Sequence, residues 1–221
     1  VALSHGHGDH MGGFGAMMAL LDRPGIELVV HPAAFKPGRH VKYGDGKKAG
    51  LPRFTREMVE AAGARIVEAP SPRLMLGGDV CFLGEIPRRT AFEKGMPNAF
   101  YERDGVEKKD LIEDDTSVCL HLKGKGLIVL TGCAHAGIVN TVRYAREVTG
   151  IESVHAIMGG FHLNGPALEA AAGLTIAALQ EIAPRYLVPT HCTGRTTIQR
   201  IEAAIPESFV LNMSGTRLTF S

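Results

Sequence analysis

The 221 residues are 45% hydrophobic and 21% charged, the make-up of an ordinary globular chain long enough for one domain with a real core. Its 24 basic and 23 acidic residues leave a net charge of +1, which gives neither a basic stripe for nucleic acid nor an acidic tail. No apolar run approaches the ~20 residues that span a bilayer, so no membrane association is expected, and no signal peptide opens the chain.

In chain order, Val1-Ala2-Leu3-Ser4 reads as the tail of a strand that runs straight into a histidine-rich loop. With no initiating Met ahead of it, this predicts further sequence upstream. A helix leaves that loop over 12–21, a short strand covers 26–31, and 36–53, rich in Gly, Lys and Pro, predicts a loop. A helix over 55–62 and a strand over 64–68 follow. Gly77-Gly78-Asp79 marks a hairpin within 74–84. Residues 85–113 are polar and irregular, which predicts a lid or binding loop. A second hairpin spans 117–122 and 127–130 across Lys123-Gly124-Lys125-Gly126. Strand then alternates with helix: a strand ends at Gly132-Cys133-Ala134-His135 before a helix to about 148. A strand from 154 ends at Gly159-Gly160-Phe161-His162 before a helix over 166–182. A strand from 186 ends at Thr190-His191-Cys192 before a helix over 194–204. Strands near 209–212 and 217–220 close the chain. The alternation predicts a layered α/β domain.

Each late strand therefore ends on a histidine just before a helix, the place where α/β folds put ligand sites. Of ten histidines, His5, His7, His10, His135, His162 and His191 have such a context. His31, His40, His121 and His155 do not and read as structural. The densest signal is His5-Gly6-His7-Gly8-Asp9-His10. In a tight glycine-containing loop, His5 and His7 can face one metal while Asp9 and His10 reach a second beside it. His135 is the candidate third ligand of the first metal and His191 that of the second. His162 is open to three roles: ligand, substrate-binding group or general acid. Cys133 could serve as a soft ligand. Imidazole with carboxylate suits zinc first, and manganese or iron(II) as well. Helix N-termini after His10, His135 and His191 would favour a bound anion, with Arg195, Arg88 and Arg89 as candidate clamps. The four cysteines, Cys81, Cys119, Cys133 and Cys192, form no CxxC pair. They argue against a disulfide framework and fit a reducing cytoplasm.

The histidine loop with Gly12-Gly13 behind it resembles the signature of the metallo-β-lactamase superfamily. SHGHGDHMGG, GEIPR (84–88), LTGCAHAGIVNT (130–141), MGGFHL (158–163) and PTHCTG (189–194) together resemble one branch. That branch holds the 7,8-dihydropterin-6-methyl-4-(β-D-ribofuranosyl)aminobenzene 5′-phosphate synthase and related metal-dependent hydrolases. The resemblance implies an α/β fold, the αββα sandwich, as one domain over 1–221 that lacks the family's N-terminal strands. It implies a dinuclear site whose metal ligands carry over to His5, His7, Asp9, His10, His135 and His191. The acidic bridging ligand seen elsewhere in the superfamily has no obvious counterpart. Cys133 or His162 occupies that region of the pattern, and Asp114 or Asp115 could contribute.

The expected function is metal-dependent hydrolysis of a small anionic substrate, phosphate-containing or pterin-related, by a metal-activated water between two divalent ions. Asp9 and His162 are the catalytic candidates, and His162, Arg88 and Arg195 the substrate-binding ones. The rivals are a lactonase or thioesterase, a di-iron oxidoreductase, and a metal-binding module without catalysis. The di-iron proteins typically carry a carboxylate where His7 stands.

Overall fold

The computed structural model describes residues 1–220. The helix expected over 12–21 is α2 (Phe14–Leu21), and a separate single turn, α1 (Gly8–Met11), precedes it within the histidine loop, the two interrupted at Gly12 and Gly13, which weaken a helix. Strand β1 (Glu27–Val30) follows. The stretch 36–53, expected as a loop, instead carries β2 (His40–Lys42) and β3 (Lys48–Gly50). Helix α3 (Arg56–Ala61) starts on Thr55, whose hydroxyl accepts the Met58 N–H at 3.3 Å. Strands β4 (Arg65–Glu68), β5 (Arg73–Met75) and β6 (Val80–Phe82) come next.

The polar segment 85–113 is not irregular throughout. It contains the hairpin β7 (Ala99–Arg103) and β8 (Val106–Lys109), turned at Asp104-Gly105 with both residues at positive φ. Asp-Gly is a strong short-range hairpin signal, and the charged strands around it hid it. Strands β2, β3, β7 and β8 form a four-stranded sheet in the order β3-β2-β7-β8. Strands β9 (Ser117–Leu122) and β10 (Gly126–Thr131), helix α4 (Ile138–Thr149), β11 (Val154–Gly160), α5 (Pro166–Ile182), β12 (Tyr186–Thr190) and α6 (Arg195–Ala204) complete the regular structure. The two strands expected after 208 form no ladder. Phe209 makes a single bridge to Leu187, and the chain then leaves the sheet edge.

The main sheet has the order β12-β11-β10-β9-β6-β5, with β10, β11 and β12 parallel. Helices α4, α5 and α6 cover one face through a core that includes Leu127, Val129, Val142, Ile157, Leu179 and Ile201. Strands β1 and β4 form a parallel two-stranded sheet with α2 and α3 against it, around Leu28, Val30, Phe14 and Val59. Val29 and Val67 of this small sheet meet Phe82 and Val118 of the large one. Helix, sheet, sheet and helix are thus stacked in the order of an αββα sandwich.

Helix α4 begins on Gly137, which has no side chain to cap it. Glu93 replaces the cap from a distance, accepting the N–H groups of Val139 at 2.8 Å and Asn140 at 2.9 Å, and the Thr90 hydroxyl at 2.9 Å. Gly137 is required here, because a Cβ would strike the Glu93 carboxylate. Removal of the carboxylate in Glu93→Ala leaves two buried donors unpaired, so a loss of about 2–3 kcal/mol is expected in urea denaturation. A loss under about 0.5 kcal/mol would mean that the helix caps itself.

Candidate metal centre

Parallel β10, β11 and β12 finish level with one another, Thr131 beside Gly159 and Gly160 beside Thr190. Their outgoing loops therefore emerge along one sheet edge. The histidine loop is delivered to the same edge, since Leu3 donates to Val29 O at 3.0 Å and Thr116 donates to Ser4 O at 3.0 Å. Non-glycine residues take left-handed backbone at all three strand exits: Ala134 (φ 53), His162 (φ 45) and His191 (φ 51). Such conformations cost about 1–3 kcal/mol each and persist where surrounding structure enforces them. The loops are tied together by Thr193, whose hydroxyl accepts Phe161 N–H at 3.0 Å and donates to Thr190 O at 2.7 Å.

The donors gather in adjacent groups. The ligand atoms of His5, His7 and His135 all lie within 4.8 Å of one another, and all three side chains are buried. Asp9, His10, Cys133 and His191 form a second group by the same measure. In it, Asp9 Oδ2 lies 3.1 Å from His191 Nε2 and 3.5 Å from His10 Nε2, and Cys133 Sγ lies 3.1 Å from His10 Nε2. Cys133, a candidate soft ligand, joins the second group, and His135 joins the first. The fold brings in both. The Ser4 hydroxyl sits 3.1 Å from Nδ1 of His5 and 3.4 Å from Nδ1 of His10, which leaves the Nε2 atoms free to face inward. The Asp9 and His191 side chains are 55% and 41% exposed, so the second group is the open mouth and the triad its inner wall.

The triad has the chemistry of a metal site. His5 Nε2 and His135 Nε2 are 3.2 Å apart, close to the ~3.3 Å edge of a tetrahedron built on Zn–N bonds of about 2.0 Å. His7 Nε2 is buried without a hydrogen-bond partner among the described residues, a cost that a cation removes. Burial, followed by the charge of neighbouring imidazoles, holds His5 and His135 well below the ordinary histidine range. Burial, then Arg39, lowers His7 to about 4. These rings stay neutral, the form that binds metal, down to mildly acidic pH. A divalent ion at the triad should keep its affinity unchanged between about pH 8 and 5 in titrations monitored by calorimetry. A tenfold weakening per pH unit beginning at 6.5 would contradict this.

Other residues marked by the sequence fall in different places. His162 lies against His135 with ring centroids 4.1 Å apart and planes tilted by 54°, and its donor atom groups with Cys133 and Cys192. Arg88 donates to His135 O at 2.6 Å and to Leu111 O, so at least two of its N–H groups serve the backbone next to the triad. Arg89 pairs with Glu147 on the surface. Arg195 is exposed at the first position of α6.

Asp114 and Asp115 do not join the donor groups. Asp114 accepts Gly6 N–H at 2.7 Å and pairs with Arg39, and Asp115 accepts Ala136 N–H at 2.9 Å. Burial pushes the Asp115 carboxyl up to about 7, while Arg39 holds Asp114 well below the carboxylate range. These acids fix the loops that carry His5, His7 and His135. His31, His40 and His155 have structural partners: His31 accepts Ala33 N–H, His40 contacts Glu107, and His155 meets the Tyr186 ring. All four cysteines are free thiols. Ser4, Arg39 and Cys192 were not singled out by sequence: Arg39 and Cys192 meet partners distant in the chain, and Ser4, although next to the histidine loop, carries no motif of its own.

The chain is 33% identical over 198 residues to the 7,8-dihydropterin-6-methyl-4-(beta-D-ribofuranosyl)-aminobenzene-5'-phosphate synthase of Methanocaldococcus jannaschii, a match covering 88% of this chain and 66% of that protein. It thus spans just under two thirds of that relative's length. It is also 28% identical over 208 residues to an uncharacterised protein of the same organism, MJ0448, covering 91% of this chain and 71% of the relative. Among solved structures, the crystal structure of Tm1679, a metal-dependent hydrolase of the beta-lactamase superfamily, superposes with a TM-score of 0.83 at 25% identity. That likeness covers 100% of this chain and 79% of the other. No family model matches the chain. None of the helices among the described residues is long and apolar enough to cross a membrane.

Proposed function

The chain belongs to the metallo-β-lactamase superfamily, and on that premise we propose that it is a metal-dependent hydrolase of a small anionic substrate, phosphate-containing or pterin-related. The observation that carries the reading is the buried His5–His7–His135 triad beside an open Asp9–His10–Cys133–His191 group. His5, His7 and His135 would hold one divalent ion, and Asp9, His10 and His191, with Cys133 at hand, a second. Zinc suits the donors best, with manganese or iron as alternatives. Ions bound there supply Lewis acidity, which lowers the pKa of water and draws charge from a substrate oxygen.

The chain's own residues do the rest. Ser4 orients His5 and His10 through their Nδ1 atoms. Arg88 fixes the His135 backbone. The exposed Asp9 and His191 face incoming substrate, with Asp9 as a ligand that borders the reacting oxygen. Arg195, at the start of α6, supplies a cation for an anionic group. The name of the 33% identical relative, a 7,8-dihydropterin-6-methyl-4-(beta-D-ribofuranosyl)-aminobenzene-5'-phosphate synthase, supports a pterin-related or phosphate-containing substrate. A hydrolytic reaction is the simpler use of an open site with two donor groups.

The test is elemental analysis after reconstitution with zinc or manganese, followed by hydrolysis assays on phosphate monoesters, phosphodiesters and lactones. About two ions per chain with turnover of a phosphate ester is the expected result. Turnover of lactones alone would move the substrate class. A fully loaded site inert towards every substrate would favour a binding module, and no metal after reconstitution would overturn the reading.

A further inference from the structure

A third donor group lies beside the two just described, buried at Cys133 and half-buried at His162 and Cys192. The ligand atoms of Cys133, His162 and Cys192 are all within 4.8 Å of one another. Only Cys133 is shared with the Asp9–His10–His191 group. Space for the two sulfurs is created by Gly160, where a Cβ would stand 2.6 Å from Cys192 Sγ and 3.2 Å from the Cys133 Cα. The backbone is held in left-handed conformations at His162 and at His191, the residue before Cys192, the two points that aim these donors. His162 Nδ1 is buried and has no hydrogen-bond partner among the described residues. The other two cysteines differ: Cys81 and Cys119 sit opposite each other across β6 and β9 within the apolar core and belong to no donor group.

We propose that Cys133, Cys192 and His162 form a thiolate-rich cation site for zinc or another thiophilic divalent ion, separate from the His5–His7–His135 triad. Zn–S bonds of about 2.3 Å and Zn–N bonds of about 2.0 Å place donors roughly 3.3–3.8 Å apart, so the present spread closes on an ion with about an ångström of movement. Binding displaces the two thiol protons to solvent and leaves sulfur in its charged form. Three protein donors leave one position open. The shared Cys133 couples this site to the Asp9–His10–His191 group: its sulfur either bridges two ions or chooses between them. His162 then acts as a ligand rather than as an acid or a substrate-binding group. The inference rests on the metal reading of the neighbouring groups only for the sharing of Cys133.

The test uses the whole chain loaded with cobalt(II) and, separately, cadmium(II). The expected spectrum contains an intense near-ultraviolet thiolate-to-cobalt band, at least halved in Cys192→Ser, while about one equivalent of cobalt remains on the triad. His162→Gln, the second variant, should weaken cadmium binding at this site at least 10-fold and leave the sulfur band shifted but present. Three results would overturn the site: no thiolate band in the unaltered chain, a band unchanged in Cys192→Ser, or Cys133 and Cys192 recovered as a disulfide under reducing purification. If these results appear while the triad still loads cobalt, the proposed hydrolase survives. If nothing loads, both readings fall together.

Discussion

Replacing His5 with alanine is expected to remove the triad's divalent ion and reduce turnover by more than about 100-fold. Partners one shell outside a metal already contribute about 10–100-fold, and His5 is a fully buried donor whose Nε2 lies 3.2 Å from that of His135. The effect on folding should be separable from the effect on metal. A ligand present at 100 times its Kd stabilises the fold by about 2.7 kcal/mol. Excess zinc should therefore raise the melting temperature of the unaltered chain, and most of that rise should be missing in His5→Ala. Without metal the two proteins should melt closer together, because the substitution removes a crowded, neutral ring whose inward nitrogen faces another imidazole. Elemental analysis of His5→Ala should show at least one equivalent lost. Metal content and activity equal to those of the unaltered chain would sink the assignment of the triad.

The positions that the sequence marked most clearly are those where local chemistry and topology coincide. The histidine loop carries four donors in six residues, and His135 and His191 sit where parallel strands end and helices begin. The fold gathers these six into two adjacent groups through the level ends of β10, β11 and β12. Strand-helix alternation from 117 to 204 was legible because short apolar runs bounded by glycine, such as β10 (Gly126–Thr131), alternate with helices whose apolar residues recur at helical spacing, such as α4.

What was hidden depends on partners remote in sequence. Strands β2 and β3 are three residues each and rich in Lys and Gly, so no period emerges from them. The β7–β8 hairpin sets Phe100 and Tyr101 opposite lysines and Glu102 opposite Glu107, so no apolar alternation marks it, and only its Asp104-Gly105 turn could have been read. The segment after 208 meets the edge strand β12 only at the Phe209–Leu187 bridge, and Pro189 further along that edge has no N–H to extend the pairing. In the site itself, Cys192 looked like an isolated thiol, since its neighbours Cys133 and His162 arrive from two other strand ends.

The deepest of these hidden features is Arg39, in the stretch that sequence assigned to a loop. Its guanidinium is buried between two carboxylates: Nη1 donates to Asp114 Oδ2 at 2.9 Å, and Nε stands 2.8 Å from Asp110 Oδ2. Asp114 Oδ2 also accepts Gly6 N–H at 2.7 Å, so the ion pair reaches directly into the histidine loop. Gly6 must be glycine, since a Cβ there would collide with Ala34 O. Removing one partner of a buried pair costs about 3–5 kcal/mol because the other charge is stranded. Arg39→Met should therefore lose about that much stability at pH 7, even though Lys36 still reaches Asp110 at 3.0 Å.

The pH dependence follows from Asp114. In the unaltered chain Arg39 keeps its carboxyl far below the ordinary value, so that stabilisation is present above about pH 4 and is lost as the pH falls. In Arg39→Met, burial, the largest influence on Asp114, is opposed by the Gly6 N–H and His5 but no longer by Arg39, so the carboxyl rises and acidification protonates the stranded carboxylate and relieves the strain. The gap between the two proteins, measured in urea at pH 7 and at pH 5, should narrow at the lower pH. Triad metal affinity should fall at least 10-fold as Gly6 loses a fixed acceptor. A stability loss under about 1 kcal/mol at pH 7, with metal affinity intact, would show that the histidine loop is held by its own backbone and not by this ion pair.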